Sequence, residues 1–229
     1  MLTIDNHVRS GSRKFGLERQ SILKKIFDRL IAIVLLIFSL PLTIAIAACI
    51  WVALGRPIFF SQSRAGLGAR NFTILKFRTM RNDRGPDGIL LPDHMRETRF
   101  TRLLRRTRLD ELPQLISILR SDMAFVGPRP LLSPTIVEFG ELGQLRCTVD
   151  PGMTGWAQVN GNTHLTARQK LALDIWYVAH QSLALDMLIV LLTVRTIVLG
   201  EKTNQRRLEI AEKYLETITA KSPIKRTGL

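Results

Sequence analysis

The sequence has few cysteines, histidines, aromatic residues or acids, and each shortage removes a class of function. Its two cysteines are Cys49 in an apolar run and Cys147 ahead of a proline. They have neither metal-ligand spacing nor the density of a disulfide scaffold, so a reducing compartment is expected. Four scattered histidines form no H-x-x-x-H pattern, and no zinc site is expected. Aromatics are 7% of residues and are not interleaved with the basic clusters, which argues against a base-stacking platform for nucleic acid. There is no G-x-S-x-G elbow, Walker loop, dinucleotide fingerprint or internal repeat.

Basic and apolar residues dominate instead. Lys and Arg number 33 against 19 Asp and Glu, giving a net charge of +14 and a pI near 10.8. Such a balance calls for an anionic partner, whether nucleic acid, anionic lipid or a phosphorylated small molecule, and charge alone does not choose among them. With 229 residues and 46% hydrophobic content, the chain has room for one sizeable domain plus an appendage.

The strongest physical signal is residues 30–55, "LIAIVLLIFSLPLTIAIAACIWVALG", flanked by Arg29 and Arg56 with no charge between them. That length suits membrane burial, and the segment is too long and too far from the N-terminus for a cleavable signal. Basic residues precede it (Arg9, Arg13, Lys14, Arg19, Lys24, Lys25, Arg29), and the long remainder is also basic. The positive-inside tendency prefers both flanks on the cytoplasmic face, which requires the segment to turn back. Ser39 and Pro41 near its middle can supply a break, because proline removes a helical hydrogen bond. The residues alone leave a re-entrant helix-break-helix and a kinked spanning helix equally open.

Beyond Arg56 the pattern predicts an α+β domain, mostly helical with a small β-hairpin. Strands are expected at "IFFSQ" and "FTILKF" around Gly66 and Gly68, then a polar Gly- and Pro-rich loop. A helix around "RLLRRTRLDELPQLISILR" follows, started anew or kinked at Pro113; it would rest at a lipid boundary or in the core. "MAFVGPRPLL" predicts a short strand and a stiff turn carrying Arg129. "DPGMTGWAQVNGN" predicts a type II turn at Pro151 and Gly152 and a hairpin at Asn160 and Gly161. Two helices complete the domain, the second too interrupted by Asp186 and Arg195 to span a membrane, and its apolar surface at 183–199 can support self-association. The implied organisation is a basic segment (1–29), a membrane hairpin (30–55), a catalytic domain (56–200), and a helix with a basic tail (201–229).

"RTRLDELPQL", residues 106–115, sets Asp110 and Glu111 side by side among arginines. Thr107 and Asp110 can be read as a capping box, but helical neighbours diverge by about 100°, so one carboxylate is left without a role. Lys76 and Arg78 at a strand end, the arginines from Arg99 to Arg108, and Arg129 complete a constellation suited to a phosphate ligand arriving with a divalent metal. One carboxylate would bind the metal and its neighbour would be the nucleophile.

The segments "KFRTM" (76–80), "LDELPQL" (109–115), "DMAFVGPRPLL" (122–132), "PGMTGWAQVNG" (151–161) and "LALDIWYV", in this order after the Ser39 and Pro41 break, resemble the bacterial sugar transferase family, the monotopic phosphoglycosyl transferases. The resemblance covers roughly Lys24 to Gly200. It implies a re-entrant helix entering from the cytoplasmic leaflet of the bacterial inner membrane, interfacial amphipathic helices, and an active site facing the cytoplasm. It also implies Asp110 attacking a UDP-sugar, expelling UMP and passing the sugar phosphate to polyprenyl (undecaprenyl) phosphate, with Glu111 holding Mg²⁺. Lys76, Arg78, Arg105 and Arg129 are then expected to bind phosphate, Asp174 to bind substrate or brace the site, and Gln158 and Asn160 to contact the nucleotide. Thr101, Arg108 and Ser121 depart from the family pattern. The expected sugar is galactose or glucose, by resemblance to short exopolysaccharide-initiating members, and no nucleic-acid partner is expected. A membrane-tethered basic binding protein, or a scaffold without catalysis, is the alternative; in it the acids would be only a helix cap.

Overall fold

The structure, a computed structural model, describes residues 11–221, with side chains from residue 22 to residue 220. Arg9, the side chains of Arg13, Lys14 and Arg19, and the basic tail from residue 222 lie outside the described residues.

Helix α1 (Gly11–Leu54) carries the apolar run and crosses the boundary expected at residue 30. It continues through Ser39 and Pro41 as one helix with Pro41 inside it, and the break expected there is not shown. The physical reason is that proline's fixed φ suits a helix and only one amide is lost, a loss tolerated in apolar surroundings. Residues Ala32, Leu36, Ser39, Thr43, Ile46, Ile50 and Leu54 recur at three- and four-residue spacing, and each is at least partly covered. Most other large side chains of the run are exposed, including Phe38 at 80% and Val52 at 84%. Both ends of the run pack on the same body. Ala32 and Leu36 meet Leu115, Ile118 and Met123, while Ile46 and Ile50 join Phe77 and Leu104.

Strands β1 (Phe59–Ala65) and β2 (Asn71–Phe77) form the expected antiparallel hairpin, with Phe60 opposite Lys76, Gln62 opposite Ile74 and Arg64 opposite Phe72. The short helix α2 (Asp93–Arg96) leads to α3 (Arg99–Arg106), whose capping box is Thr98 with Thr101. The box is therefore not at Thr107 and Asp110. The long helix read around Pro113 is instead α3, a 3₁₀ turn (Leu109–Gln114) containing that proline, and α4 (Leu115–Leu119).

A second sheet joins β3 (Ala124–Val126) to β4 (Gly152–Thr154) in parallel, across the helices α5 (Ser133–Glu138) and α6 (Gly140–Arg146). Gly152 enters β4 without a positive φ, so no type II turn forms there. Asn160 follows the short helix α7 (Trp156–Val159) and precedes a 3₁₀ turn, which replaces the expected hairpin. Glycine is required where the two strands meet: a Cβ on Gly152 would lie 2.0 Å from the Gly127 amide nitrogen, and one on Gly127 would lie 2.3 Å from the Asp150 carbonyl oxygen.

Helix α8 (Ala167–His180) is buried continuously from Leu171 to Ile175 and forms the centre of the main core. Helix α9 (Leu183–Leu199) turns Asp186 and Ile189 inward and leaves Leu183, Met187, Leu191, Val194 and Val198 exposed as one apolar stripe. Helix α10 (Gln205–Lys221) packs on α8, with Arg207 stacked 4.7 Å from the Trp156 ring and Tyr214 edge-on to His180.

Candidate active site

The site is built where the 3₁₀ turn crosses the face of the β1–β2 hairpin. Arg108, at φ 58°, reverses the chain after α3, and Pro113 holds the tight turn that follows. This turn presents Asp110 (9% exposed) and Glu111 (4%) together in the interior. Neighbouring residues in a 3₁₀ turn point about 120° apart, so their environments differ.

Glu111 Oε1 accepts from Lys76 Nζ at 2.6 Å and from Arg129 Nη2 at 2.7 Å. Arg108 Nη1 stands 4.0 Å from Oε2. Burial works to raise the Glu111 pKa, but Arg129 and Lys76 outweigh it and hold the carboxyl down at about 2. Asp110 makes no ion pair among the described residues, and only its own backbone amide lies against the carboxyl. Burial first, and then the Glu111 charge, push its pKa up, against Lys76 and Arg105. Two adjacent carboxyls driven apart in this way suit different tasks: one fixed as an anion, the other poised to react. Burial also lowers the Lys76 pKa, against the pull of Glu111.

Of the other residues singled out in the sequence, Lys76 and Arg129 converge on Glu111. Arg105 pairs with Glu97 at the edge of the site, close enough to influence Asp110. Arg78 points away: its guanidinium caps the C-terminus of α1, donating to the carbonyls of Arg56 (3.1 Å), Gly55 (2.8 Å) and Leu54. Asp174 is 3% exposed and accepts from Arg146 Nε at 2.8 Å, while Arg146 Nη2 donates to the Arg129 carbonyl. Asp174 is thus linked to the Arg129 backbone through Arg146. Gln158 donates to the Met153 carbonyl at 3.1 Å, its Oε1 buried without a partner. Asn160 is fully buried, between the Trp156 carbonyl at 2.7 Å and Arg207 at 3.2 Å. It ties α7 to α10. Ser39 and Pro41 lie in α1, the Ser39 hydroxyl covered and unpartnered.

Sequence reasoning missed Arg64, Gln114 and Arg146. Arg64 was discoverable, because the alternation of β1 against β2 puts it on the Lys76 face of the hairpin. Arg146 carried no local signal. Burial and the Arg129 charge lower the Arg64 pKa, and its Nη2 donates to the neutral Gln62 Oε1 at 2.6 Å.

The sequence model of the family described as bacterial sugar transferase matches residues 19–200. "Uncharacterized sugar transferase EpsL" of Bacillus subtilis (strain 168) is 42% identical over 193 residues, covering 84% of this chain and 96% of that one. The "UDP-glucose:undecaprenyl-phosphate glucose-1-phosphate transferase" of Xanthomonas campestris pv. campestris is 38% identical over 205 residues, covering 83% of this chain and 42% of the relative. The "UDP-N-acetylgalactosamine-undecaprenyl-phosphate N-acetylgalactosaminephosphotransferase" of Aeromonas hydrophila is 37% identical over 186 residues, covering 78% and 44%. The chain therefore spans less than half the length of the latter two.

Proposed function

The chain belongs to the bacterial sugar transferase family, and on that premise we propose that it transfers a sugar 1-phosphate from a UDP-sugar to undecaprenyl phosphate at the cytoplasmic face of the inner membrane. The observation that carries this reading is the split between the paired carboxylates. Glu111 is locked as an anion by two cations, while Asp110 beside it is buried and unpaired among the described residues.

An Asp110 carboxylate oxygen bonds to the β-phosphorus of the donor as the bond from that phosphorus to the bridging oxygen breaks, and the electron pair departs with UMP. An oxygen of the acceptor phosphate then bonds to the same phosphorus. The aspartyl bond breaks, which regenerates the carboxylate and yields the lipid diphosphate sugar. Lys76 and Arg105 favour the ionised Asp110 that the first step needs. Lys76 and Arg129 are also placed to meet donor phosphate oxygens through hydrogen-bonding capacity that Glu111 does not use.

The donor set fits Mg²⁺ arriving with the diphosphate. Glu111 Oε1 is engaged by Lys76 and Arg129, whereas Oε2 makes no hydrogen bond among the described residues, and Mg²⁺ is commonly held by one or two carboxylates plus phosphates and waters. Glu111 Oε2 would hold it, and the ion would offset charge on the diphosphate.

One-sided anchoring is supported by the packing of α1, since both ends of its apolar run rest on one body. The exposed stripe of α9 would lie at the membrane surface.

The test is purified chain with Mg²⁺ and a panel of UDP-sugars, glucose and galactose first and N-acetylgalactosamine with them. Turnover should release UMP and require undecaprenyl phosphate. Donor alone should add the mass of one sugar phosphate to the intact protein, and Asp110→Asn should abolish both signals. Folded protein that releases no UMP with any donor overturns the proposal.

A further inference from the structure

Beside Glu111, on the hairpin side of the site, Arg64, Lys76, Gln114 and Arg129 wall a small crevice. Cross-strand pairing places Arg64, Gln62 and Lys76 on one face of the hairpin, the face turned to the 3₁₀ turn that carries Gln114. Gln114 is 3% exposed, and its Nε2 is buried without a hydrogen-bond partner; Arg64 Nε is in the same condition. Native interiors rarely leave such donors unmade, because each one forfeits its hydration. Two unmade donors on residues that wall one crevice therefore point to something that fills it.

The chemistry of the wall is one-sided. Each of the four side chains brings N–H donors, and three are cations. Lys76 and Arg129 already share the Glu111 carboxylate, whereas Arg64 makes no ion pair among the described residues and rests on the neutral Gln62. The missing partner must be acceptor-rich, compact and negative. A guanidinium fork beside an amide N–H₂ and an ammonium matches the several oxygens of a phosphate better than a single carbonyl.

We infer that Arg64 and Gln114, with Lys76 and Arg129 at their edge, form a cradle for a phosphate monoester, separate from the position at which Asp110 reacts. The inference deepens the proposed function and rests on it only for the two candidate sources, the nucleoside monophosphate half of the donor and the phosphate of the lipid acceptor. In either case the cradle holds the phosphate that is not attacked by Asp110, so that the reacting phosphorus and its partner are gripped by different groups.

The experiment measures equilibrium binding to the full chain in detergent micelles in two arms, UMP and farnesyl phosphate, for wild type, Arg64→Gln, Arg64→Lys and Gln114→Leu. Thermal unfolding of each protein is recorded alongside. Loss of charge-assisted hydrogen bonds should weaken one ligand by about tenfold to a hundredfold in Arg64→Gln, less in Arg64→Lys and about tenfold in Gln114→Leu. The arm that responds identifies the source. If Arg64→Gln does not fold, Arg64→Lys and Gln114→Leu decide. Binding of both ligands within twofold of wild type in the folded variants overturns the cradle. UMP release from UDP-sugars by the wild type, measured in parallel, separates the two claims. Turnover with Arg64-independent binding removes the cradle alone, and Arg64-dependent binding without turnover removes the proposed function alone.

Discussion

Replacing Asp174 with leucine separates a brace from a substrate ligand. Asp174 and Arg146 are each 3% exposed, and their hydrogen bond is 2.8 Å long. Burial works to raise the Asp174 pKa, opposed by the Arg146 charge. Asp174→Leu keeps the branched heavy-atom outline but strands the guanidinium of Arg146 in the interior. Breaking such a pair costs about 3–5 kcal/mol, because the remaining charge has neither water nor a counterion. For a chain of this size each kcal/mol moves the unfolding midpoint by about 2–4 °C, so the midpoint should fall by about 6–20 °C. The double variant Asp174→Leu with Arg146→Met removes both charges and should recover at least half of that loss, although it also removes the bond to the Arg129 carbonyl. The assay is thermal unfolding in nanodiscs, paired with donor KM measured well below each midpoint. KM should stay within about threefold of wild type, since Asp174 reaches no open space at the site. An unchanged midpoint with a donor KM raised tenfold would refute the brace and return Asp174 to the substrate.

Three further outcomes are expected. In the proposed mechanism the ionised form of Asp110 reacts, and burial and Glu111 raise its pKa, so kcat/KM should climb with pH through a limb above the ordinary aspartate value of 3.8; a profile flat from pH 4 upward counts against it. Arg78→Met should lower the unfolding midpoint by the equivalent of about 1–3 kcal/mol, through carbonyls left uncapped at the end of α1, with donor KM unchanged. A tenfold rise in KM would instead place Arg78 on the donor. Lys24→Met should loosen α1 from the body, at a cost of about 2 kcal/mol because the lysine is partly solvated, and Asp186→Leu in the same chain should restore part of it; limited proteolysis and thermal unfolding report both.

What the sequence made legible was whatever has a period or a short range. The apolar run, the β1–β2 hairpin and the helical nature of the later segments follow from spacing over seven or more residues. The second sheet did not, because three-residue strands carry no period and their pairing spans two intervening helices. Its glycines, read as turn signals, are instead places where backbones touch. The acidic pair was visible as a chemical oddity, but the selection among 33 cations was not. Arg78 and Lys76 are only two residues apart, yet one caps a helix and the other meets Glu111, since the strand ends at Phe77 and Arg78 lies beyond it. Arg64, ten or more residues away from every motif quoted for the family, faces the site because of register.

The basic residues ahead of the apolar run illustrate how charge counting can mislead in a second way. Read as a flank, they carry only a preference for the cytoplasmic face. In the folded chain, Lys24 donates to Asp186 at 2.6 Å and to the Val126 carbonyl at 2.8 Å, Lys25 pairs with Asp150 at 3.2 Å, and Arg29 donates to Ser121 at 2.8 Å. Asp28, on the same helical turn, accepts from the Phe125 amide at 3.3 Å. All these partners lie on or beside β3 and β4, or on α9 against them. Strand β3 runs directly into the Gly127–Pro130 turn that carries Arg129 to Glu111. The turns of α1 ahead of its apolar run and the cation that fixes the carboxylate are therefore joined through three residues of strand. A displacement of α1 relative to the body would have to break two ion pairs or carry β3 with it.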